Sequence, residues 1–337
     1  MRKWNAFMSL SIPPLTRRRA LKQTFLFSAA LALGSRARFV QAQETAGADL
    51  HFLMIGDWGY GKDNKAQQAV AAGMKGYAQA MKLKTEGLFL LGDNFYGEFK
   101  GGVNCPRWKT EFENMYPADV FPGPCWTMLG NHDYDDEPVD KMNAELAYAA
   151  AHPGTRWYLP SKWYRMEWPN VNPLITCIVV DSNYHNRVGQ LTPAERAEQL
   201  EWLKTELAKP RTTPWLTVLG HHPLYSNGMH GDTTALIDEW GPLFQDHGVD
   251  FYFCGHDHDL QHLELEGLRT SFVLSGGGGA RTYIVLPTGR GPFAQAVYGF
   301  THLQVNREKF TIRHLDANQK LLHAFSRARD GKLEVLS

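Results

Sequence analysis

The chain has 337 residues, 43% of them hydrophobic and 21% charged, with 35 basic and 35 acidic side chains. This composition is typical of globular proteins that bury a substantial core. The balanced charge argues against a nucleic-acid-binding surface, and the sequence shows no acidic tail, internal repeat or long low-complexity run. The length fits one large domain or two small ones.

The N-terminus resembles a twin-arginine export signal. Residues 16–22 include three consecutive arginines, residues 24–33 form an apolar stretch too short to cross a bilayer comfortably, and residues 40–42 offer a small-residue cleavage site. The alternative is a basic disordered tail followed by a short core helix. We expect residues 1–42 to be the signal. Residues 43–337 are then expected to form one exported domain, periplasmic or extracellular, without a membrane span.

Apolar runs typical of strands alternate with amphipathic stretches typical of helices from residue 52 onwards. This alternation, followed by successive strands, predicts an α/β sandwich with mixed sheets. The predicted elements are strand 52–55, helix 65–83, strand 87–91, short helix 107–115, strand 126–129, helix 141–151, strand 175–180, helix 192–208, strand 215–219, helix 234–246, strand 249–253 and strands 272–274, 301–305 and 310–314.

The four cysteines differ in their surroundings. Cys177 and Cys254 lie in apolar strand-like runs, which predicts buried thiols. Cys105 and Cys125 lie in a region rich in glycine and proline, where a disulfide formed after export and two free thiols are both open.

Five predicted strands are followed by a glycine and then by a side chain suited to metal binding. In open α/β sheets, ligands bind beside the carboxyl ends of the strands, and a glycine there permits a sharp turn. Each motif alone is weak, because Asp-x-Gly and Gly-Asp-Asn are usually turns. Together the five motifs predict one shared metal site. Its candidate residues are Asp57, Asp93, Asn131 with His132, His221, and His256 with His258.

Other conspicuous residues have simpler interpretations. Residues 275–280 are rich in glycine but lack the Lys-Ser/Thr ending of a phosphate-binding loop, so we expect a strand-to-loop joint near the metals. Trp58 is expected at the pocket because it follows Asp57. Eight histidines without motif context are expected to be surface or structural residues: His51, His152, His185, His247, His262, His302, His314 and His323.

The motifs around Asp57, Asp93, Asn131 and His256 resemble those of the calcineurin-like metallophosphoesterases. Within that superfamily they are most similar to the small, single-domain, tartrate-resistant purple acid phosphatases, over residues 50–315. The usual superfamily pattern has Asp-x-His in the first motif, whereas here Gly59 replaces the histidine. Tyr96 in the second motif is expected to supply the missing metal ligand. A tyrosinate suits a hard ferric ion. The resemblance implies a four-layer α/β/β/α sandwich with two mixed β-sheets.

The same resemblance implies a centre of Fe(III) plus a divalent metal (Fe, Zn or Mn). The ferric ion would be held by Asp57, Tyr96 and His258. The divalent ion would be held by Asn131, His221 and His256, and Asp93 would bridge the two ions. His132 and His230 are the expected catalytic residues. They are expected to protonate the leaving group or to bind the phosphate. His222 departs from the family pattern and is expected to line the pocket.

The implied activity is hydrolysis of small phosphate monoesters at acid pH, by attack of a metal-bound hydroxide. Two alternatives stay open. A phosphodiesterase or nucleotidase would use the same metals on another substrate. A metal-binding or redox protein without phosphatase activity would hold the same ligands. The oligomeric state is not indicated by the sequence.

Overall fold

The computed structural model describes residues 49–135, 140–184 and 190–337. The predicted export signal, residues 1–42, and His185 lie outside the described residues, so predictions about them stay predictions. None of the described helices combines the length and the apolar character that a membrane crossing requires.

Within these ranges the chain forms fifteen strands and four α-helices. The strands are β1 (Leu50–Ile55), β2 (Thr85–Leu90), β3 (Cys125–Thr127), β4 (Trp157–Tyr158), β5 (Tyr164–Trp168), β6 (Ile175–Val179), β7 (Trp215–Leu219), β8 (Phe251–Cys254), β9 (Leu260–Leu263), β10 (Ser271–Ser275), β11 (Phe293–Gln295), β12 (Gly299–Val305), β13 (Lys309–Asp316), β14 (Leu321–Ala328) and β15 (Leu333–Val335). The helices are α1 (Lys65–Ala80), α2 (Asp140–Ala151), α3 (Pro193–Leu207) and α4 (Thr234–Asp246).

The strands form two mixed sheets. The first has the order β15-β14-β13-β12-β1-β2-β3-β4, in which β1 to β4 are parallel and β12 to β15 are antiparallel. The second has the order β11-β9-β10-β8-β7-β6-β5, with a parallel centre from β10 to β6. The parallel strands form one half of the first sheet and the centre of the second, and parallel strands place their carboxyl ends at one edge, where ligand sites form.

Alternating side chains of the second sheet enter two different cores, as the period of a strand requires. Phe251 and Phe253 of β8 lie in the core shared with the first sheet, and the Phe251 ring is 4.6 Å from that of Phe310 in β13. Tyr252 and Cys254 lie in the outer core, together with side chains of α3 and α4. The two sheets therefore pack face to face.

Helix α1 covers the outer face of the first sheet. Its Tyr77 ring packs edge-on against Phe300 of β12 at 5.7 Å, and Val70 and Met74 are fully buried. With α3 and α4 on the far side of the second sheet, the layers run helix, sheet, sheet, helix. The predicted α/β/β/α sandwich with two mixed sheets is confirmed.

Most predicted elements form, with shifted ends. Helix α4 matches its predicted bounds, and α3 begins with the predicted capping box, in which Glu195 N donates to the Thr192 hydroxyl at 3.2 Å. The predicted helix 107–115 is instead a π-helix, Trp108–Glu113. No strand is predicted where β4, β5, β9, β11, β14 and β15 form.

All four cysteines are buried free thiols in the structure. Cys177 and Cys254 lie in β6 and β8, as predicted. Cys105 and Cys125 do not form a disulfide.

Several histidines without motif context are buried between the elements, which confirms a structural role for them. His302 of β12 is an example, because only 2% of it is exposed. One ring nitrogen faces Nδ1 of His51 at 3.0 Å and the other faces the Tyr77 hydroxyl at 3.0 Å. Burial and the neighbouring Arg313 lower the pKa of His302 from 6.5 to about 3. This ring is therefore neutral in the folded state.

We expect His302→Gln to weaken the loss of stability in acid. The unfolded chain binds a proton on His302 near pH 6.5 that the folded protein accepts only near pH 3, so the free energy of unfolding falls as pH is lowered through that window. Urea unfolding across the window measures the slope. His247→Gln, at the half-buried C-terminal cap of α4, is the matched control. An unchanged slope in His302→Gln would contradict the expectation.

Candidate metal centre

The ligand-type side chains converge because the loops that carry them are bonded to one another. Asp57 N donates to Gly92 O at 3.1 Å, which joins the ends of β1 and β2. Gly255 N donates to His221 O at 3.0 Å, which joins the ends of β7 and β8. The edge where both sheets present these loops is the candidate metal centre.

Glycines before the ligand residues allow this close approach. Gly130 has an ordinary extended backbone, with φ of −100°, yet a Cβ there would clash with the carboxylate and the backbone N of Asp93. A Cβ at Gly255 would lie 2.6 Å from Asp57 Oδ2. The same steric limit applies in residues 275–280, because a Cβ at Gly276 would lie 2.8 Å from Asp57 Oδ2. That segment is a strand-to-loop joint beside the centre, as predicted.

Asp57, Asp93, Tyr96 and His258 form one half of the cluster. The Tyr96 hydroxyl oxygen lies 3.3 Å from Asp57 Oδ1, 2.9 Å from Asp93 Oδ2 and 3.1 Å from His258 Nε2. Three potential ligand atoms lie within 4.8 Å of one another, one each from Asp57, Asp93 and His258. His258 Nδ1 is hydrogen-bonded to Arg281 O at 2.6 Å, so that Nε2 faces the cluster.

His221, Asn131 and His256 form the other half. His221 Nδ1 is held by Leu91 O at 2.8 Å, and its Nε2 lies 3.2 Å from Asn131 Oδ1 and 3.3 Å from Asp93 Oδ2. The rings of His221 and His256 are 5.2 Å apart. Asp93 thus contacts both halves, which is the arrangement that a bridging ligand needs.

His222 lies next to the cluster and not within it. Its Nδ1 faces the Ser182 hydroxyl at 2.9 Å, and only 3% of the residue is exposed. Its ring packs 4.3 Å from that of His256. Nε2 of His221 lies 3.3 Å from Asp93 Oδ2. The ring of His222 thus lies beside those of two candidate ligands, and its role at the pocket stays a prediction.

The charges of the cluster are tightly coupled. Burial opposes ionisation of Asp93, but His221 and His132 outweigh it and hold the pKa of Asp93 well below its usual range. Burial also opposes the charged form of His221, yet the carboxylates of Asp93 and Asp57 raise the pKa of His221 to about 10. Burial and the same two carboxylates raise the pKa of the Tyr96 phenol well above its usual value.

The residues present fit bound metal cations. Asp57 and Asp93 are 0% and 1% exposed, and burying two facing carboxylates is costly without compensating positive charge. A cation between them favours the anionic form of each oxygen, including the Tyr96 phenol. Carboxylate, phenolate, amide and imidazole together suit iron, zinc or manganese.

The backbone at the centre is held in an uncommon conformation. Asp57, Asp93 and His256 have φ angles of 59°, 50° and 70°, in the left-handed region that non-glycine residues seldom adopt. Such strain persists only where the surroundings impose it, and it is common at ligand sites. Here it turns three candidate ligands back toward the cluster directly after their strands.

His132 and His230 lie at the solvent-facing side of the cluster, each with 37% of the side chain exposed. His132 Nδ1 pairs with Asp135, and its ring is 4.4 Å from that of Tyr96. His230 Nδ1 lies 2.7 Å from Asp257 Oδ1. In both residues a carboxylate holds Nδ1, which leaves Nε2 as the nitrogen available to a substrate.

The expectation for Trp58 is wrong. Trp58 is fully buried, its indole N–H donates to Asn94 Oδ1 at 3.2 Å, and its ring packs edge-on against Phe95 and Tyr116. The side chain of the neighbouring Asp57 points toward the site, and the side chain of Trp58 points into the core. Through its hydrogen bond to Asn94 and its packing against Phe95, Trp58 holds the loop that carries Asn94 and Tyr96.

Sequence analysis does not assign two residues of the site. Tyr283 lies in an irregular segment, but its ring stacks on that of His258 at 4.4 Å and meets that of His230 edge-on at 5.1 Å. Asp133 is fully buried and accepts hydrogen bonds from the backbone of Asn94 at 2.8 Å and Gly130 at 2.8 Å. Asp133 stands in the Gly-Asn-His-Asp motif, although the motif does not predict which loops it joins.

The sequence matches the family model of the calcineurin-like phosphoesterases over residues 50–260. Tartrate-resistant acid phosphatase type 5 of Homo sapiens is 30% identical to this chain over 298 residues, which cover 81% of this chain and 89% of the human protein. Purple acid phosphatase 7 of Arabidopsis thaliana is 30% identical over 317 residues, covering 90% and 93%. The chain belongs to the purple acid phosphatases. The resemblance drawn from the motifs is confirmed.

A solved structure of the same fold shows how far backbone similarity extends. GAP50, the anchor in the inner membrane complex of Plasmodium, superposes with a TM-score of 0.70 at 22% identity, over 82% of this chain and 88% of that one. This similarity concerns the fold alone. For this purple acid phosphatase the chemistry has to be argued from the side chains at the strand ends.

We expect Gly130→Ala to lower both stability and metal content. The added methyl group would displace Asp93 and strain the loop, at a cost of about 1–3 kcal/mol in the free energy of unfolding. Gly241→Ala is the matched control, because a Cβ there meets open space in α4 and alanine favours a helix by ~0.5–1 kcal/mol. Thermal unfolding and elemental analysis test this. Full metal occupancy in Gly130→Ala would contradict it.

Proposed function

We propose that this protein is a dimetal acid phosphatase that hydrolyses phosphate monoesters of small molecules. The observation that carries the proposal is the contact of one phenol with two buried carboxylates and an imidazole, Tyr96 with Asp57, Asp93 and His258. Membership of the purple acid phosphatases supports the same reading.

We assign the metal ligands in two sets that share one residue. Asp57, Tyr96 and His258 would hold Fe(III), and Asn131, His221 and His256 would hold a divalent ion, with Asp93 between them. The hard oxygen ligands in the first set support ferric iron there, and the amide and imidazoles of the second accept Fe, Zn or Mn. When bound, the metals supply the Lewis acidity that activates water and offsets charge on the phosphoryl oxygens.

The chain itself holds the reacting groups in place. His132 and His230 lie at the open side of the cluster with Nδ1 fixed by Asp135 and Asp257, so each imidazole is oriented for one contact through Nε2. As the bond between phosphorus and the leaving oxygen breaks, that oxygen needs a proton, which we assign to one of these two rings. The other ring would hold a phosphoryl oxygen.

We further propose that the protein is exported by the twin-arginine route. The support is sequence alone: three consecutive arginines, a short apolar stretch and a small-residue site before residue 43. This route carries folded proteins, which would allow metals to be inserted before export.

We expect the purified protein to turn over an aryl phosphate monoester faster than the matching diester at acid pH. A site that neutralises a phosphate dianion favours the monoester, because the diester carries one negative charge less. Parallel assays of both substrates measure the ratio. Dominance of the diester would move the function to a phosphodiesterase, and activity on neither substrate with metals bound would refute the proposal.

We expect Tyr96→Phe to abolish the visible absorption that a phenolate gives when bound to Fe(III). The variant retains the ring but loses the oxygen that would reach the metal. Tyr60→Phe is the matched control, because the Tyr60 ring is 5.0 Å from that of Tyr96 and 48% exposed. Absorption spectra are recorded beside iron analyses. A coloured Tyr96→Phe protein, or a colourless Tyr60→Phe protein with iron, would refute the assignment.

A further inference from the structure

Asp257 is a fully buried carboxylate that lies behind His230. Its Oδ1 accepts the backbone N–H of His230 at 3.0 Å and also faces His230 Nδ1 at 2.7 Å. Its Oδ2 accepts a hydrogen bond from the Ser226 hydroxyl. One side chain therefore fixes both the backbone and the imidazole of His230.

A second layer of hydrogen bonds prevents the carboxylate from turning. The Ser226 hydroxyl also accepts from Gly228 N at 2.8 Å and from Gln261 Nε2 at 2.9 Å. Gln261 Oε1 accepts the backbone N–H of Asn227 at 2.8 Å. A Cβ at Gly228 would lie 2.5 Å from Asp257 Oδ2, so the backbone itself packs against this oxygen. The whole loop from Ser226 to His230 is thus tied to Asp257.

The candidate metal ligands on either side of Asp257 have anchors of their own. His258 Nδ1 is held by Arg281 O at 2.6 Å, and the backbone N of His256 donates to Asp57 Oδ2 at 3.0 Å. The Asp257 side chain is therefore directed at the His230 loop, and Arg281 O, not Asp257, holds the ring of His258.

We propose that Asp257 is a positioning residue for phosphate-ester cleavage, which acts only through His230. By holding Nδ1, it fixes the ring so that Nε2 faces the substrate side of the cluster, between the rings of His256 at 4.3 Å and Tyr283 at 5.1 Å. As water adds to phosphorus and the leaving oxygen departs, that oxygen takes the proton of His230 Nε2, while the other proton stays on Nδ1, which donates it to Asp257 Oδ1, and solvent restores the proton lost from Nε2. This inference rests on the proposed function and assigns the proton donor to His230, and not to His132.

The test is a double-mutant cycle of Asp257→Asn and His230→Ala, each assayed on two phosphate monoesters. A nitrophenyl phosphate has a leaving oxygen that departs without a proton, whereas glycerol phosphate has an alkoxide that needs one. We expect Asp257→Asn to lower kcat on glycerol phosphate about 10- to 100-fold, to lower it far less on the nitrophenyl ester, and to leave KM nearly unchanged. In the His230→Ala background it should cause no further loss.

Metal analysis and thermal unfolding of every variant separate positioning from structure. Equal metal content in wild type and Asp257→Asn is expected, because the Asp257 carboxylate is hydrogen-bonded to His230 and Ser226 and the His258 ring is held by Arg281 O. Ser226→Ala keeps the Asp257 carboxylate but removes one hydrogen bond that holds it. We expect a smaller loss of kcat with the same dependence on the leaving group, and no further loss when Ser226→Ala is combined with His230→Ala. Additive losses in either double variant, or metal lost from Asp257→Asn, would overturn the inference. Inactivity of the wild type on both esters would instead refute the proposed function.

Discussion

Two buried carboxylates that face one phenol are the constraint on which the site depends. Asp57 and Asp93 lie at the ends of neighbouring parallel strands and are 0% and 1% exposed. The backbone N–H groups of His132 and His256 donate to them at 2.8 Å and 3.0 Å, and Nε2 of His221 lies 3.3 Å from Asp93 Oδ2. In the proposed centre, positive charge from metals would offset the rest of the desolvation cost. Backbone hydrogen bonds between the surrounding loops keep these side chains close together.

That constraint explains why the site is visible in the sequence. Ligands that must meet at one edge of a sheet follow their strands directly, and a glycine has to precede them where a Cβ would strike a neighbouring carboxylate, as at Gly130. The order of apolar run, glycine and ligand therefore has a steric origin. The sheet centre is predictable for a related reason, since buried parallel strands such as β6 and β7 are continuous apolar runs.

The parts that sequence reasoning misses lack such a local cause. β14 and β15 extend the far side of the first sheet, and β15 is only partly buried, so no strong pattern distinguishes them. Trp58 looks like a pocket residue from its neighbour, but the direction of a side chain next to a left-handed Asp57 follows from the three-dimensional turn. Asp257 looks like a spacer between two histidines, and its partners His230 and Ser226 are about thirty residues away, at separations of 27 and 31.

Histidine illustrates why the environment, and not the residue type, decides function in this chain. His302 has burial, Arg313 and His51 around it, which favour the neutral ring and leave it a structural role between α1 and the first sheet. His230 and His132 have a carboxylate on Nδ1 and more than a third of the side chain exposed, which orients the ring while a substrate can still reach it. The fold shared with GAP50 provides the edge where such rings are placed, and the carboxylates behind His132 and His230 hold Nδ1 and leave Nε2 available. Under the proposed function, this orientation is what would allow His230 to deliver a proton to the leaving oxygen.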